Sequence, residues 1–268
     1  MVLDLFWRRH DPDPQKKLFL IIDAVSGDTI QNIYRYSVTN ERCRIAFGPV
    51  KKAGTYYFYY LPYVVQTDWG FYNKEYPGPE KSLSAQWVNT SGVGDMSRYK
   101  SFPAAKVVEF QSRSAFDSFY PMEVIALASE KKSLTAKFPS EYLVFPEDRE
   151  FPVRMKDEIP QRWIVKGPSD KFTGDACRNE YYAFQLAVYA SKKEINDVKI
   201  EFSDLSSGNS VIPASALTCF NTGGTDPYGK QFVKRVDVAA GNVQPFWIGI
   251  DIPETSAAGT YKGKVTIT

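Results

Sequence analysis

Five aromatic side chains occur close together in one stretch of the sequence and could bind a sugar. They are Trp69, Phe71, Tyr72, Tyr76 and Trp87, with Asp68 and Glu80 beside them. Aromatic faces stack on the C–H-rich faces of pyranose rings, and a few polar groups then orient the ligand. The same rings could instead pack this stretch onto its own domain or onto a further domain. Sugar binding at these five residues is therefore predicted as one of two open interpretations.

The carboxylates of the sequence do not form a convincing pair for hydrolysis. Glycoside hydrolysis needs two carboxylates across the scissile bond, about 5 Å apart for retention or about 6.5–9.5 Å apart for inversion. Asp117 and Glu123 lie around a predicted helix start, so they do not face one point, and Asp117 is better suited to capping. Glu147 and Asp148, close to Arg149, are expected to form solvated ion pairs. No catalytic residue is predicted.

The histidine and cysteine content limits other chemistry. His10 is the only histidine, which excludes Ser-His-Asp and Cys-His catalysis unless His10 itself takes part. An odd number of cysteines without CxxC spacing argues against a metal site or a disulfide framework. We therefore expect neither a metal nor a cofactor. A bridge between Cys177 and Cys219 is the alternative to buried free thiols.

The overall composition excludes two classes of partner. The 33 basic and 31 acidic residues give a formal net charge of +2, without the basic surface that nucleic-acid binding needs. The longest apolar runs, such as residues 18–22, are far shorter than the roughly 20 residues that cross a bilayer. The chain starts in a predicted strand without a signal-peptide pattern and stops just after another strand. We therefore expect it to be part of a longer protein.

The length and the apolar pattern predict a mainly β chain of two domains. A β-rich N-terminal domain with a long aromatic loop and one helix is predicted over residues 1–160. An antiparallel, immunoglobulin-like β-sandwich is predicted over residues 161–268. The boundary is expected at the charged, proline-containing segment 146–160 or just beyond it.

The first domain is predicted from strand-forming residues bounded by turn signals. Its helix is expected over residues 121–138, with Pro121 at the first helical position, and residues 62–103 are expected to be irregular. Its strands are predicted at residues 2–7, 18–22, 31–38, 44–47, 55–61, 106–110 and 142–145.

The second domain is predicted from strands at short, regular intervals. Phe184, Leu186 and Val188 alternate with smaller or polar residues, as expected for a strand with two different faces. Gly223 and Gly224 are expected in a hairpin or connecting turn, because no Lys-Ser/Thr follows as a phosphate-binding loop would need. The strands are predicted at residues 181–189, 197–202, 217–221, 232–238, 245–252 and 259–267.

Several short motifs resemble those of carbohydrate-active enzymes. WIGIDIP (247–253) and AGTYKG (258–263) are similar to the accessory β-sandwiches of such bacterial enzymes. YYAFQ (181–185), IPAS (212–215) and CFNTGG (219–224) resemble the N-terminal region of glycoside hydrolase family 123-like proteins. WRRHD (7–11), FDSFYPME (116–123) and FPEDR (145–149) resemble the first domain of that group.

This resemblance implies a functional context that the residues alone do not give. It implies a catalytic (β/α)-barrel after this region, carrying the catalytic carboxylates, in a secreted or periplasmic parent protein that acts on glycans, including N-acetylgalactosamine linkages. The expected function is that of non-catalytic accessory domains that scaffold this barrel. The expected partners are the C-terminal catalytic domain and a glycan, and the alternative is an autonomous carbohydrate-binding module.

Overall fold

The computed structural model describes residues 1–68, 70–110 and 120–268. The chain packs into two compact units, Met1–Ser118 and Phe119–Thr268. Both units are built mainly from antiparallel strands, so the predicted fold class is confirmed.

The first unit contains a three-stranded sheet, a two-stranded ribbon and a separate hairpin. The sheet has the order β1-β4-β3, the ribbon pairs β2 with β5, and the hairpin pairs β6 with β7. Its elements are β1 (Val2–Phe6), β2 (Phe19–Asp23), β3 (Asn32–Val38), β4 (Arg42–Gly48), β5 (Tyr56–Tyr60), β6 (Val64–Asp68), β7 (Phe71–Glu75), α1 (Ala85–Ser91) and 3₁₀ turns at Pro14–Lys16 and Met96–Ser101.

The core of the first unit lies between the sheet and the ribbon. Every second residue of β1 and β2 points into this core, because successive side chains of a strand face opposite sides. Trp7 follows β1 directly, is buried, and donates a hydrogen bond of 2.6 Å from its Nε1 to the carbonyl of Thr39. The buried core residues are Leu3, Leu5, Trp7, Phe19, Ile21, Ile33, Cys43, Ile45 and Phe47.

Two sequence expectations for the first unit are wrong. The region 62–103 is not irregular, since it contains the β6–β7 hairpin, α1 and a 3₁₀ turn. Residues 106–110 form no strand. The preceding residue still bonds to β1, because the Ala105 amide donates to the Val2 carbonyl at 2.7 Å. Residues 106–110 themselves are in neither a strand nor a helix.

The second unit is organised around a four-stranded antiparallel sheet of order β13-β16-β9-β8. Its elements are α2 (Ala128–Lys137), β8 (Leu143–Asp148), α3 (Gln161–Lys166), β9 (Tyr181–Tyr189), β10 (Ile200–Phe202), β11 (Leu205–Ser207), β12 (Ser210–Ile212), a 3₁₀ turn at Ala214–Ala216, β13 (Leu217–Cys219), β14 (Gly223–Thr225), β15 (Gln231–Val233), β16 (Val243–Asp251) and β17 (Val265–Ile267).

Both faces of this sheet are covered. On one face, Phe145 and Tyr189 belong to a cluster with residues of α2 and α3. On the other face, Phe184 and Ile248 pack against residues of the β10–β17 ribbon, which gives the two-layer β arrangement. Strand β9 is therefore buried along nearly its whole length, which suits its almost continuous run of apolar side chains.

The helix predicted over residues 121–138 is wrong in its first part, because helix α2 begins only at Ala128. The amide of Ala126 donates to the carbonyl of Ile159 at 2.9 Å, and the amide of Gln161 donates to the carbonyl of Val124 at 2.7 Å. These bonds hold residues 124–126 against a distant segment. The backbone groups that a longer helix would need are therefore already paired.

The two compact units meet between Ser118 and Phe119, whereas the sequence predicts a domain boundary at residue 160. Strand β8 and helix α2 precede residue 160, yet both pack into the second unit, where β8 pairs with β9 along its length. The proline-containing segment 146–160 consequently lies inside this unit, with Ile159 buried in its core.

No helix in the described ranges is both long enough and apolar enough to cross a membrane.

Candidate functional site

The five aromatic residues predicted to bind sugar lie on different elements. Phe71 and Tyr72 begin β7 in the β6–β7 hairpin, while Tyr76 follows that strand and Trp87 lies in α1. Trp69 lies outside the described residues, and so do the side chains of Phe71 and Tyr72.

Tyr76 is held by a buried ion pair at the base of the β6–β7 hairpin. Its hydroxyl donates to Asp11 Oδ1 and accepts from the amide of Asp13 at 3.1 Å. Asp11 Oδ2 lies 2.6 Å from Lys17 Nζ, and both side chains are over nine-tenths buried. Burial and the bond to Asp11 raise the pKa of Tyr76, so the phenol stays protonated and continues to donate. This residue therefore anchors the hairpin.

Glu80 fixes the segment that follows the hairpin. Its carboxylate accepts from Arg35 Nε at 2.7 Å and from Arg35 Nη2 at 2.5 Å. The amide of Phe19 donates to the same carboxylate at 3.3 Å, and the Arg35 guanidinium lies 4.0 Å from the Phe19 ring centre. A two-pronged contact of this kind restricts direction as well as distance. Glu80 is thus a structural anchor rather than a free polar group.

Trp87 packs on the opposite face of the sheet from the main core. It contacts a cluster of Val2, Ala46 and Val93. Its ring also lies against Gly48, so that a Cβ added to this glycine would be 3.3 Å from Cζ2 of Trp87. The structure thus uses Tyr76 and Trp87 for packing and anchoring. Sugar binding at the five residues Trp69, Phe71, Tyr72, Tyr76 and Trp87 stays a prediction.

Glu147 was expected to form a solvated ion pair, and this expectation is wrong. The residue is only 1% exposed. Its Oε1 accepts from the indole Nε1 of Trp163 at 2.9 Å and from Arg162 Nε at 3.3 Å, and its Oε2 lies 3.3 Å from Lys166 Nζ. All three donors belong to α3, so the carboxylate fastens this helix to the edge strand β8.

Asp148 and Glu180 are also engaged. Asp148 Oδ2 accepts from the Tyr182 hydroxyl at 2.5 Å, and this bond holds the pKa of Asp148 below its usual value. Glu180 accepts from the Cys177 amide at 2.7 Å and from Arg149 at 2.7 Å, and these bonds lower its pKa. The pKa values of Asp4, Asp23, Asp95 and Asp237 are lowered in the same direction by hydrogen bonds to their carboxylates, whereas a catalytic acid needs a raised pKa.

The remaining sequence candidates that the structure describes do not form a site. Asp117 lies outside the described residues, and Glu123 makes one exposed contact of 3.5 Å with Arg154. The cysteines are free, so Cys177 and Cys219 are not bridged. No group of three or more potential metal ligands occurs within the ranges that the structure describes.

Two exposed tyrosines were not predicted from the sequence. Tyr57 and Tyr59 on β5 are 52% and 47% exposed, and their ring centres are 6.3 Å apart. Their neighbours Tyr56, Phe58 and Tyr60 point into the core. The alternation of a strand with five aromatics could have predicted that two of them face outward.

Two segments of the chain match family models. Residues 1–113 match the model described as "Glycoside hydrolase 123, N-terminal domain". Residues 219–268 match a second model, "Glycoside hydrolase 123 N-terminal domain". Both models describe the N-terminal region of glycoside hydrolase 123, so these two segments are similar to that region. The predicted resemblance is therefore confirmed, and the two matched segments together make up more than half of the chain.

Two individual proteins show local similarity to this chain. A family 123 glycoside hydrolase from Clostridium perfringens, studied for glycolipid glycan hydrolysis, shares 16% identity and a TM-score of 0.35, over 48% of this chain and 24% of that chain. Dihydroxyacetone synthase from Pichia angusta is 39% identical over 91 residues, which is 33% of this chain and 12% of that enzyme. The chain thus spans a quarter or less of either protein, and neither likeness supports a conclusion about activity.

Proposed function

We propose that this chain is a non-catalytic N-terminal region that supports the catalytic domain of a glycoside hydrolase. The observation that carries the proposal is the match of two separate segments to glycoside hydrolase 123 N-terminal domains. The catalytic domain, the glycan on which it acts and the export of the parent protein to the periplasm or medium belong to the proposal.

The chemistry of the carboxylates supports this proposal. Asp11, Glu80 and Glu147 are buried or nearly so, and each accepts bonds from cationic or hydroxyl donors of its own unit. These contacts occupy the carboxylate oxygens with partners from the same unit. Asp11, Glu80 and Glu147 thus stabilise the fold.

Comparison of this chain with a longer chain that includes the following domain tests the proposal. Both are assayed against aryl glycosides, including an N-acetylgalactosaminide. Hydrolysis by the longer chain alone is expected. If the present chain hydrolyses a substrate, and this activity persists after a second chromatographic step, the chain is itself an enzyme.

The supporting role has a separate readout. The catalytic segment without residues 1–268 is compared with the longer chain for melting temperature and KM. We expect the shortened enzyme to melt at a lower temperature, because it loses the surface against which its partner domains pack. An unchanged melting temperature together with an unchanged KM would overturn the supporting role.

A glycan-binding module is the second candidate, favoured by the β6–β7 hairpin. Val64 and Val65 of this hairpin are exposed, while Tyr76 anchors its base. Isothermal titration with oligosaccharides would test binding through Trp69, with Tyr228→Ala as a control at another exposed ring. Loss of affinity is expected for Trp69→Ala only, and equal affinities for both variants would remove the hairpin as the site.

A further inference from the structure

The outward side of the β2–β5 ribbon carries no charged side chain. Phe19 and Ile21 of β2 point into the core, so the intervening Leu20 and Ile22 face outward. In the antiparallel register Leu20 lies opposite Tyr59 and Ile22 lies opposite Tyr57. These four residues form one surface, which we name the outer tyrosine face.

The outer tyrosine face differs from an ordinary solvated sheet surface. An antiparallel sheet with one side in water normally alternates apolar and polar residues, whereas here both sides of the ribbon are apolar. The tyrosines are about half exposed, and Leu20 and Ile22 beside them are partly buried. Contiguous exposed apolar surface is one signature of a ligand-binding site.

The chemistry of the face favours a neutral, C–H-rich ligand. An aromatic ring has a negative face, which complements the weakly positive C–H bonds on one side of a pyranose. The two ring planes are inclined at 52° to each other, so they form two adjacent stacking positions rather than one flat plate. The face thus matches an uncharged ligand with several apolar patches in both charge and shape.

Polar groups for a sugar lie at the rim of the face. Thr29 pairs directly with Ile22 in an isolated antiparallel bridge. Residues directly opposite in such a bridge direct their side chains to the same side. Together with the two phenol hydroxyls, the Thr29 hydroxyl supplies donors and acceptors around an apolar floor, which is the usual composition of a sugar site.

We propose that the outer tyrosine face binds a neutral oligosaccharide, with one pyranose ring stacked on Tyr57 and a neighbouring ring on Tyr59. This proposal rests on the proposed association with a glycoside hydrolase. It places the glycan on the β2–β5 ribbon instead of the β6–β7 hairpin. The face would hold the substrate chain while the catalytic domain acts on it.

Titration calorimetry of the full 268-residue chain with a panel of neutral oligosaccharides tests the proposal. The oligosaccharide that binds most tightly is then titrated into the Tyr57→Ala/Tyr59→Ala variant. We expect affinity at least about tenfold lower, because each stacked ring contributes through both contact area and ring electrostatics. The Tyr57→Phe/Tyr59→Phe variant keeps the rings and should stay within about threefold of the unsubstituted chain. Tyr228→Ala, at an exposed ring of the other unit, should bind normally.

Three outcomes would overturn the proposal. They are the absence of millimolar or tighter binding across the panel, equal affinity in the alanine variant, and a dimer of the chain that dissociates when the tyrosines are replaced. The last outcome would assign the face to a second copy. None of these outcomes contradicts the supporting role. That role is contradicted only if this chain hydrolyses glycosides, or if the catalytic segment keeps its melting temperature and KM without residues 1–268.

A second measurement applies if the alanine variant does not fold. Methyl and tyrosine-ring NMR signals of the unsubstituted chain are followed while the oligosaccharide is added. Shifts concentrated at Leu20, Ile22, Tyr57 and Tyr59 support the proposal. Shifts concentrated at residues 64–75 instead place the glycan on the hairpin and overturn it.

Discussion

Replacing Glu147 tests whether a buried carboxylate fastens helix α3 to the sheet. Glu147→Ala removes a charge-assisted hydrogen bond to Trp163, typically about 1.5–3 kcal/mol, and leaves the buried indole N–H without its partner. The side chains of Arg162 and Lys166 are 33% and 40% exposed, so each of their ion pairs adds at most about 1 kcal/mol. The expected loss in free energy of unfolding is about 3 kcal/mol.

The Glu147→Gln variant separates the hydrogen bond from the charge. Its amide oxygen still accepts from Trp163, so only the charge-assisted part of that bond and the two partly exposed ion pairs are lost. We expect a loss of about 1–2 kcal/mol, clearly smaller than for alanine. Glu201→Gln, at an exposed residue of β10, is the matched control and should change stability by less than about 0.5 kcal/mol.

Urea unfolding followed by tryptophan fluorescence and circular dichroism measures these differences. Because the chain has two compact units, the transition of the second unit is fitted separately from that of the first. Equal, small losses for Glu147→Ala and Glu147→Gln would refute the reasoning, since they would show that the buried carboxylate does not hold α3.

Three further predictions concern thiols, acid stability and a glycine. In the folded chain at pH 8, iodoacetamide should modify the exposed Cys177, whereas Cys43 stays unmodified because burial raises its pKa to about 12. Asp148 has a lowered folded pKa, so the Tyr182 bond should stabilise the fold above the unfolded pKa of about 3.9 and lose this effect as the pH falls through the lower folded pKa. Urea unfolding across this range should therefore show Tyr182→Phe less stable at neutral pH and converging with the unsubstituted chain in acid. Gly223→Ala should open the β14–β15 hairpin to proteolysis, because its Cβ would meet a backbone oxygen at 2.7 Å.

Each of these predictions has a contradicting result. Mass spectrometry that finds Cys43 alkylated as fast as Cys177 would show that the first thiol is accessible. A stability difference for Tyr182→Phe that persists unchanged at pH 3 would show that Asp148 is not the group involved. A hairpin that resists protease equally well in Gly223→Ala and Gly224→Ala would show that the backbone contact tolerates a methyl group, since only a side chain opposes Gly224.

The strands were predictable where local pattern and tertiary context agree. Residues 181–189 were predicted as a strand and form β9 with the same limits, because bulky residues without Gly or Pro suit a buried strand. Gly223 and Gly224 likewise lie in a hairpin, but in its strand β14, where Phe232 of β15 passes close to both glycines. In β9 the local sequence and the tertiary pairing favour the same conformation.

The prolines after residue 145 were misleading for a physical reason. Pro146 lies within β8, which pairs with β9 only and is therefore an edge strand, where a residue without an N–H is tolerated. The same residue type occurs in linkers, so composition cannot distinguish the two situations. Only the pairing of β8 with β9, more than thirty residues later in the chain, does so.

The role of Glu147 could not be obtained from sequence for a related reason. Next to Asp148 and Arg149 it has the appearance of a surface charge. Its burial depends on α3 folding back so that Trp163 can stack on Phe145, with ring centres 4.5 Å apart. A contact between residues so far apart in the chain leaves no local periodicity.

The pairing of β16 with β9 has a practical consequence for anyone dividing this chain into fragments. The family match from residue 219 to residue 268 includes β16 and β17, but their partners β9 and β10 lie before residue 219. A fragment cut at the start of that match would present two unpaired strand edges and the apolar side of β16, which favours aggregation. For expression and crystallisation, a useful boundary therefore precedes Phe119, so that every strand of the second unit keeps its neighbour.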